Sequence, residues 1–370
     1  MNFKNLTKKI TATLSAGVIG CSIMFSAPAT AEAIDIGNII GIGGAILQGN
    51  AQMNEAKKQI EAFNNTEEGR QYLYNMFREK YGVNDDYTLN NRLKNIMENL
   101  TAAVKATDPA DNSINERPYL YFVSADKTLN AACAMGHVMM VNTGAFDNLA
   151  TDDEIAAIVG HEMGHGQKDH VAKGMKKSIN KQMLANVAVS AAGGSTIASI
   201  VGSIALNNSV AHSDRKQETE ADNLAWDYIQ RTNYNLGACA AAMQRLAELY
   251  GEKYNSNILN PADHPDTGKR RDNYATKLYE HSGKHCSARD GVVTVNGKTF
   301  LTVAATSTMS SAERSFFVLG NLAAAFHEGK NNSTATVSNG TVYLGNQAII
   351  TPTADDESAE TLAARLNEIK

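Results

Sequence analysis

The chain has 370 residues, enough for one sizeable core and a small accessory domain. A formal net charge of -5 gives no basic field, which argues against nucleic acid as a partner. Four cysteines without zinc-knuckle spacing give no reason to expect a cysteine-based metal site.

The first 33 residues read as an export signal: Lys4, Lys8 and Lys9, an apolar run from Ile10 to Phe25, then Ala31-Glu32-Ala33 as a cleavage site. A competing reading makes Val18-Ile19-Gly20-Cys21 a lipobox, with an acylated Cys21 tethering the chain to a membrane. The apolar run continues past Cys21, which favours cleavage after Ala33. Cys133, Cys239 and Cys286 would then remain, as one disulfide plus a free thiol or as three buried thiols.

Residues 34–110 form an N-terminal helical region. Ile34 to Asn50 is rich in Gly and Ile and too short for a confident membrane span. Residues 51–107 show helical periodicity in two segments, broken near Tyr81 to Tyr87 where Gly82, Asn84, Asp85 and Asp86 cluster.

The core is expected over residues 111–284. Tyr119 to Ser124 and Val138 to Asn142 alternate or run apolar, as strands do, and His137 before the second is read as structural. Thr151 followed by Asp152, Asp153 and Glu154 reads as an N-cap with its capping box. Ile155, Ile158 and Val159 then supply the apolar stripe of a helix.

That helix carries His161, Glu162 and His165 as HEMGH. Imidazoles at i and i+4 lie on one face and can reach the same zinc ion, with the glutamate beside an activated water. The third ligand must come from elsewhere. A metzincin needs Gly at 168 and His at 171, where this chain has Lys168 and Val171. His170 is one residue off register and is expected on the solvated side.

Glu218 and Asp222 in RKQETEAD fit a gluzincin instead. Glu218 would bind zinc, Asp222 would accept the second N–H of a ligating histidine, and Glu220 would point elsewhere.

Leu184 to Leu206 is uncharged and long enough to cross a bilayer, but it is dominated by Ala, Ser and Gly and interrupted by Gly193-Gly194. A buried or cleft-covering helical hairpin is the preferred reading. Ala238 to Tyr250 is an Ala-rich helix with Met243, Leu246 and Leu249 as core.

Residues 285–370 read as a small ββαββα domain, with hairpin turns at Asn296-Gly297 and Asn339-Gly340. Helices carrying Phe316, Phe317, Leu319 and Leu322, and then spanning Asp355 to Ile369, complete the two units.

Four stretches, in order, resemble the CAAX-prenyl-endopeptidase and HtpX-like family of zinc metallopeptidases, specifically its soluble exported branch of the BepA and LoiP type. They are Asn130 to Gly144, similar to the strand before the metal helix; HEMGH; DRKQETEAD from Asp214, which replaces the usual serine; and HPDTGKR from His264 to Arg270.

The resemblance implies an α+β fold with a mainly helical zincin-like core, a small sheet and the small C-terminal domain. It implies one Zn2+ held by His161, His165 and Glu218, with Glu162 as base and Asp222 behind the ligands. Arg270 would stabilise the site or cap its helix. His264 would approach the zinc as a reversible plug or an oxyanion donor. Met139, Met140, Val141 and Asn142 would lie along the cleft, where an exposed strand edge pairs with extended, locally unfolded peptide.

The expected function is endopeptidase action on unfolded or misassembled proteins of the periplasm or cell envelope, with Cys21 or the Leu184 to Leu206 hairpin as membrane contacts. Alternatives are an assembly or chaperone-like factor with gated cutting, and a zinc hydrolase for cell-wall amides.

Overall fold

The computed structural model describes residues 57–58, 60–174, 176–177, 216–252 and 266–370. The export signal, Cys21, Ile34 to Asn50, Leu184 to Leu206, Asp214 and His264 lie outside them. Among the described residues no helix is long and apolar enough to cross a membrane.

The two periodic N-terminal segments are α1 (Glu67–Tyr81) and α2 (Tyr87–Thr107). Each start is capped by a side-chain oxygen, Thr66 accepting from the Gly69 N–H and Asp86 from that of Leu89. Gly82, at φ 68, ends α1 in a backbone region that favours glycine.

Three strands follow, β1 (Leu120–Ser124), β2 (Ala131–Ala134) and β3 (Val138–Asn142), in the order β1-β3-β2. β1 runs parallel to β3 and β2 antiparallel to it. Successive side chains alternate between two apolar layers. Phe122, Ala132, Ala134, Val138 and Met140 face Ile60, Leu73 and Phe77. Val123, Cys133, Met139 and Val141 face the main core with Ile96, Leu100, Ile155 and Val159.

The sheet order corrects one expectation. Met139, Met140, Val141 and Asn142 belong to the central strand, paired to Tyr121 through Ser124 on one side and, up to Val141, to Ala131 through Cys133 on the other. They offer no open edge to a peptide. The Asn130 to Gly144 stretch is a reversal, not one strand: the chain turns at Met135–His137, where Gly136 (φ 70) and His137 (φ 59) both take left-handed backbone angles. A strand buried along its whole length is what the apolar run VMMV calls for.

The remaining core is helical: α3 (Asp152–Gln167), α4 (216–229), α5 (Ala238–Tyr250) and α6 (Thr267–His281). In α5 Met243 and Leu246 are buried as expected, but Leu249 is 39% exposed because the last turn runs past the core.

The C-terminal segment holds two units of three strands and a helix, where the sequence pattern predicted two strands each. The first has β4 (Cys286–Arg289), β5 (Val292–Val295), β6 (Lys298–Thr302) and α7 (Ser311–His327). The second has β7 (Ala335–Ser338), β8 (Thr341–Leu344), β9 (Gln347–Ile350) and α8 (Ala359–Ile369).

Both sheets are antiparallel meanders with a register irregularity in the middle strand, after Val293 and after Val342. The two hairpins named in the sequence are not equivalent, since Asn296-Gly297 joins the second and third strands of its unit and Asn339-Gly340 the first and second. The units interlock: α7 also packs on β9, and α8 on β6. α7 lies against α5 and α6, so one apolar cluster runs from the sheet into both units. Cys133, Cys239 and Cys286 are all buried free thiols.

Candidate metal centre

The helix that carries the histidines is built as its sequence demands. Thr151 Oγ1 accepts from the Glu154 N–H at 3.2 Å while Glu154 Oε2 accepts from the Thr151 N–H at 3.1 Å, closing the capping box. Two glycines let α3 approach its neighbours closely. A Cβ at Gly164 would stand 3.1 Å from the Ala221 Cα of α4, and one at Gly166 would stand 2.9 Å from the Cys133 Sγ of β2. The first approach brings Glu218, on α4, to the histidines.

His161, His165 and Glu218 meet there, all buried. The two Nε2 atoms are 3.1 Å apart, His165 Nε2 is 3.2 Å from Glu218 Oε1, and His161 Nε2 is 3.3 Å from Glu218 Oε2. Ligand atoms about 2.0–2.1 Å from a tetrahedral zinc stand about 3.3 Å from each other, so each separation is of the size such a site needs, the two to Glu218 being made by different carboxylate oxygens.

The electrostatics agree. Burial and the Arg270 charge resist a proton on His161, yet the Asp222 and Glu218 carboxylates outweigh them and raise it to about 9, so the centre draws a cation. The donor set therefore fits a divalent metal.

Each imidazole is held from behind. His161 Nδ1 is 2.9 Å from Asp222 Oδ1. Arg270 donates to both Asp222 oxygens, from Nη2 to Oδ1 at 2.6 Å and from Nε to Oδ2 at 2.9 Å. The Arg270 side chain thus braces the site. Burial alone would raise Asp222, but Arg270 and His161 hold it far below the ordinary carboxylate range. Tyr274, one turn beyond Arg270 on α6, donates its hydroxyl to Asp222 Oδ1 at 2.9 Å. Tyr274 stands outside the HPDTGKR stretch, and only its i, i+4 spacing from Arg270 marks it in the sequence.

On the other side, two expectations are corrected. His170 is not solvated: it is 5% exposed, with Nδ1 2.9 Å from His165 Nδ1. Glu220 does not point away from the site, since its Oε2 is 3.1 Å from His170 Nε2. The cause is Asp169, whose left-handed φ of 51 turns the chain back after α3 and whose carboxylate is tied to Arg117 and Asn64. Burial and His165 pull His170 down to about 4, leaving it neutral.

Glu162 is 3% exposed. Its Oε2 accepts the Cys133 N–H at 3.0 Å, and among the described residues its Oε1 has no hydrogen-bond partner. Burial raises its pKa against the pull of His161 and His165. His137 stays structural: its ring stacks on Tyr119 and its Nδ1 meets the Arg117 carbonyl at 2.6 Å.

The profile of Peptidase family M48 matches residues 88–275, which include every group of this centre. The chain belongs to Peptidase family M48. Similar proteins carry metalloprotease names. Metalloprotease LoiP of Escherichia coli (strain K12) is 32% identical over 161 residues, covering 43% of this chain and 62% of the relative. Metalloprotease YcaL of the same strain is 29% identical over 162 residues, with the same two shares. Mitochondrial metalloendopeptidase OMA1 of Arabidopsis thaliana is 26% identical over 143 residues, 39% of this chain and 28% of the relative. The chain spans less than two thirds of the length of each. The M48 match also accounts for the mainly helical α+β core.

Proposed function

We propose that this M48 member is an exported zinc-dependent endopeptidase that hydrolyses peptide bonds of unfolded or misassembled envelope proteins. The carrying observation is the buried triangle of His161, His165 and Glu218 with Glu162 beside it. Bound zinc would polarise the scissile carbonyl and lower the pKa of a water toward neutrality. Glu162 takes up a proton at Oε1 while the Cys133 N–H fixes Oε2, and its raised pKa suits it to pass that proton to the leaving amine. The metalloprotease names of the relatives support cleavage, and the N-terminal sequence pattern supports export.

Peptide docking moves from β3 to β2, which among the described residues pairs only with β3 and which turns its Cys133 N–H toward Glu162. An extended segment added along β2 would pass Glu162 and be recognised through its main chain, which favours unfolded substrates. His264 as a plug is tested by His264→Ala, which should raise cleavage.

Casein digestion tests the reading. Glu162→Gln should keep its zinc and lose on the order of 10²–10⁴-fold in turnover. Wild-type protein that binds casein without cutting it would instead favour a client-binding assembly factor.

A further inference from the structure

We infer that His170 and Glu220 are positioning residues for the metal centre, fixing the tautomer and ring plane of His165 as Asp222 and Arg270 fix those of His161. This rests on the metallopeptidase reading above. Glu220 Oε2, as a carboxylate oxygen, can only accept, so the contact at 3.1 Å makes His170 Nε2 the donor. A metal held at His165 Nε2 leaves the His165 proton on Nδ1, so His170 must meet it with a lone pair at its own Nδ1. His165 Nδ1, 2.9 Å away, must then be the donor in the next contact. Its proton placed there, His165 has only a lone pair at Nε2, the atom 3.2 Å from Glu218 Oε1 and 3.1 Å from His161 Nε2.

One carboxylate thus sets the direction of every proton in the row, and the row ends in a metal-binding lone pair. The His170 ring also meets the His165 ring edge to face, at 76° and 4.9 Å between centroids, which restrains the plane of both.

The two supports differ in where they end. Arg270, behind Asp222, is 7% exposed, whereas the Glu220 side chain is 50% exposed. The His165 support therefore reaches solvent, and Glu220 can be changed without opening the core.

The test measures zinc affinity by competition with a chromogenic chelator, together with the visible spectrum of the Co2+-substituted full chain. Three variants are compared: His170→Leu, which removes the acceptor; His170→Asn, whose amide oxygen can replace it; and Glu220→Ala, which removes the carboxylate that His170 Nε2 meets. His170→Leu should weaken zinc binding roughly 10- to 100-fold and shift the Co2+ bands. His170→Asn should recover most of that loss, and Glu220→Ala should show a smaller loss in the same direction.

Wild-type affinity and spectrum in His170→Leu would overturn the inference. So would a His170→Asn variant as weak as His170→Leu, because packing alone would then account for the effect. Should His170→Leu fail to fold, Glu220→Ala decides: weaker zinc with shifted bands supports the row, and no change in either overturns it. A wild-type chain that binds no zinc removes the metallopeptidase reading itself, and this inference with it.

Discussion

Two buried carboxyl groups in different regions of the molecule, Asp222 and Glu313, ionise in opposite senses. At the metal centre Asp222 lies against the Arg270 guanidinium and stays charged far below the usual range. At the start of α3 and of α7, Glu154 and Glu313 are both 0% exposed, and among the described residues each leaves its Oε1 without a hydrogen-bond partner, so each carboxyl group is raised by burial. Burial, then Glu154, pushes Glu313 up to about 8. Both groups accept backbone N–H bonds as capping residues. Arg245 is the cation acting on Glu313, and its charge lowers that group only slightly beside the other causes. Burial raises a carboxyl group in either place; a cation in direct contact is what reverses the sign.

The sharpest way to break this contrast is to remove the carboxylate and keep the cation. Asp222→Ala leaves Arg270 buried without a counter-charge, so urea unfolding should show a loss of about 3–5 kcal/mol. Zinc affinity, read by chelator competition, should fall roughly 10- to 100-fold as well. Asp222→Ala with Arg270→Met should regain stability but not zinc affinity. If stability is not regained, charge burial is not the cause.

The junction should respond to pH in the reverse direction from an ordinary carboxylate pair. The folded pKa of Glu313, at about 8, lies above the unfolded value of 4.5. Its contribution is therefore complete below about pH 4.5 and lost as pH rises through about 8. Melting temperatures of Glu313→Gln should fall less than those of wild type across that window; parallel curves would disprove the raised pKa of Glu313. Tyr274→Phe gives the smallest effect, about 0.5–1.5 kcal/mol in the same unfolding assay, because Asp222 keeps its other partners.

Much of the centre was legible because its spacing is helical. His161 and His165, and separately Glu218 and Asp222, sit at i, i+4, and Thr151 with Glu154 announces the first helix before its ligands arrive. What escaped was carried by backbone reversal. Ala131 to Ala134 has no polar alternation to mark it as an edge strand, so the turn at Gly136 and His137 leaves no sign in the sequence and VMMVN reads as the exposed strand instead. His170 was judged by its distance past the helix, and a single left-handed residue, Asp169, brings it back. In the C-terminal units, β4 was missed although Asp290-Gly291, both at positive φ, is the same kind of turn signal as Asn296-Gly297.

Position 164 has a role that its lack of a side chain conceals. Because α3 and α4 touch at Gly164 and Ala221, the thickness of that contact sets how far a carboxylate on one helix stands from the imidazoles on the other. Bulk added there would act as a wedge, widening the bite of the donor set without altering a single ligand.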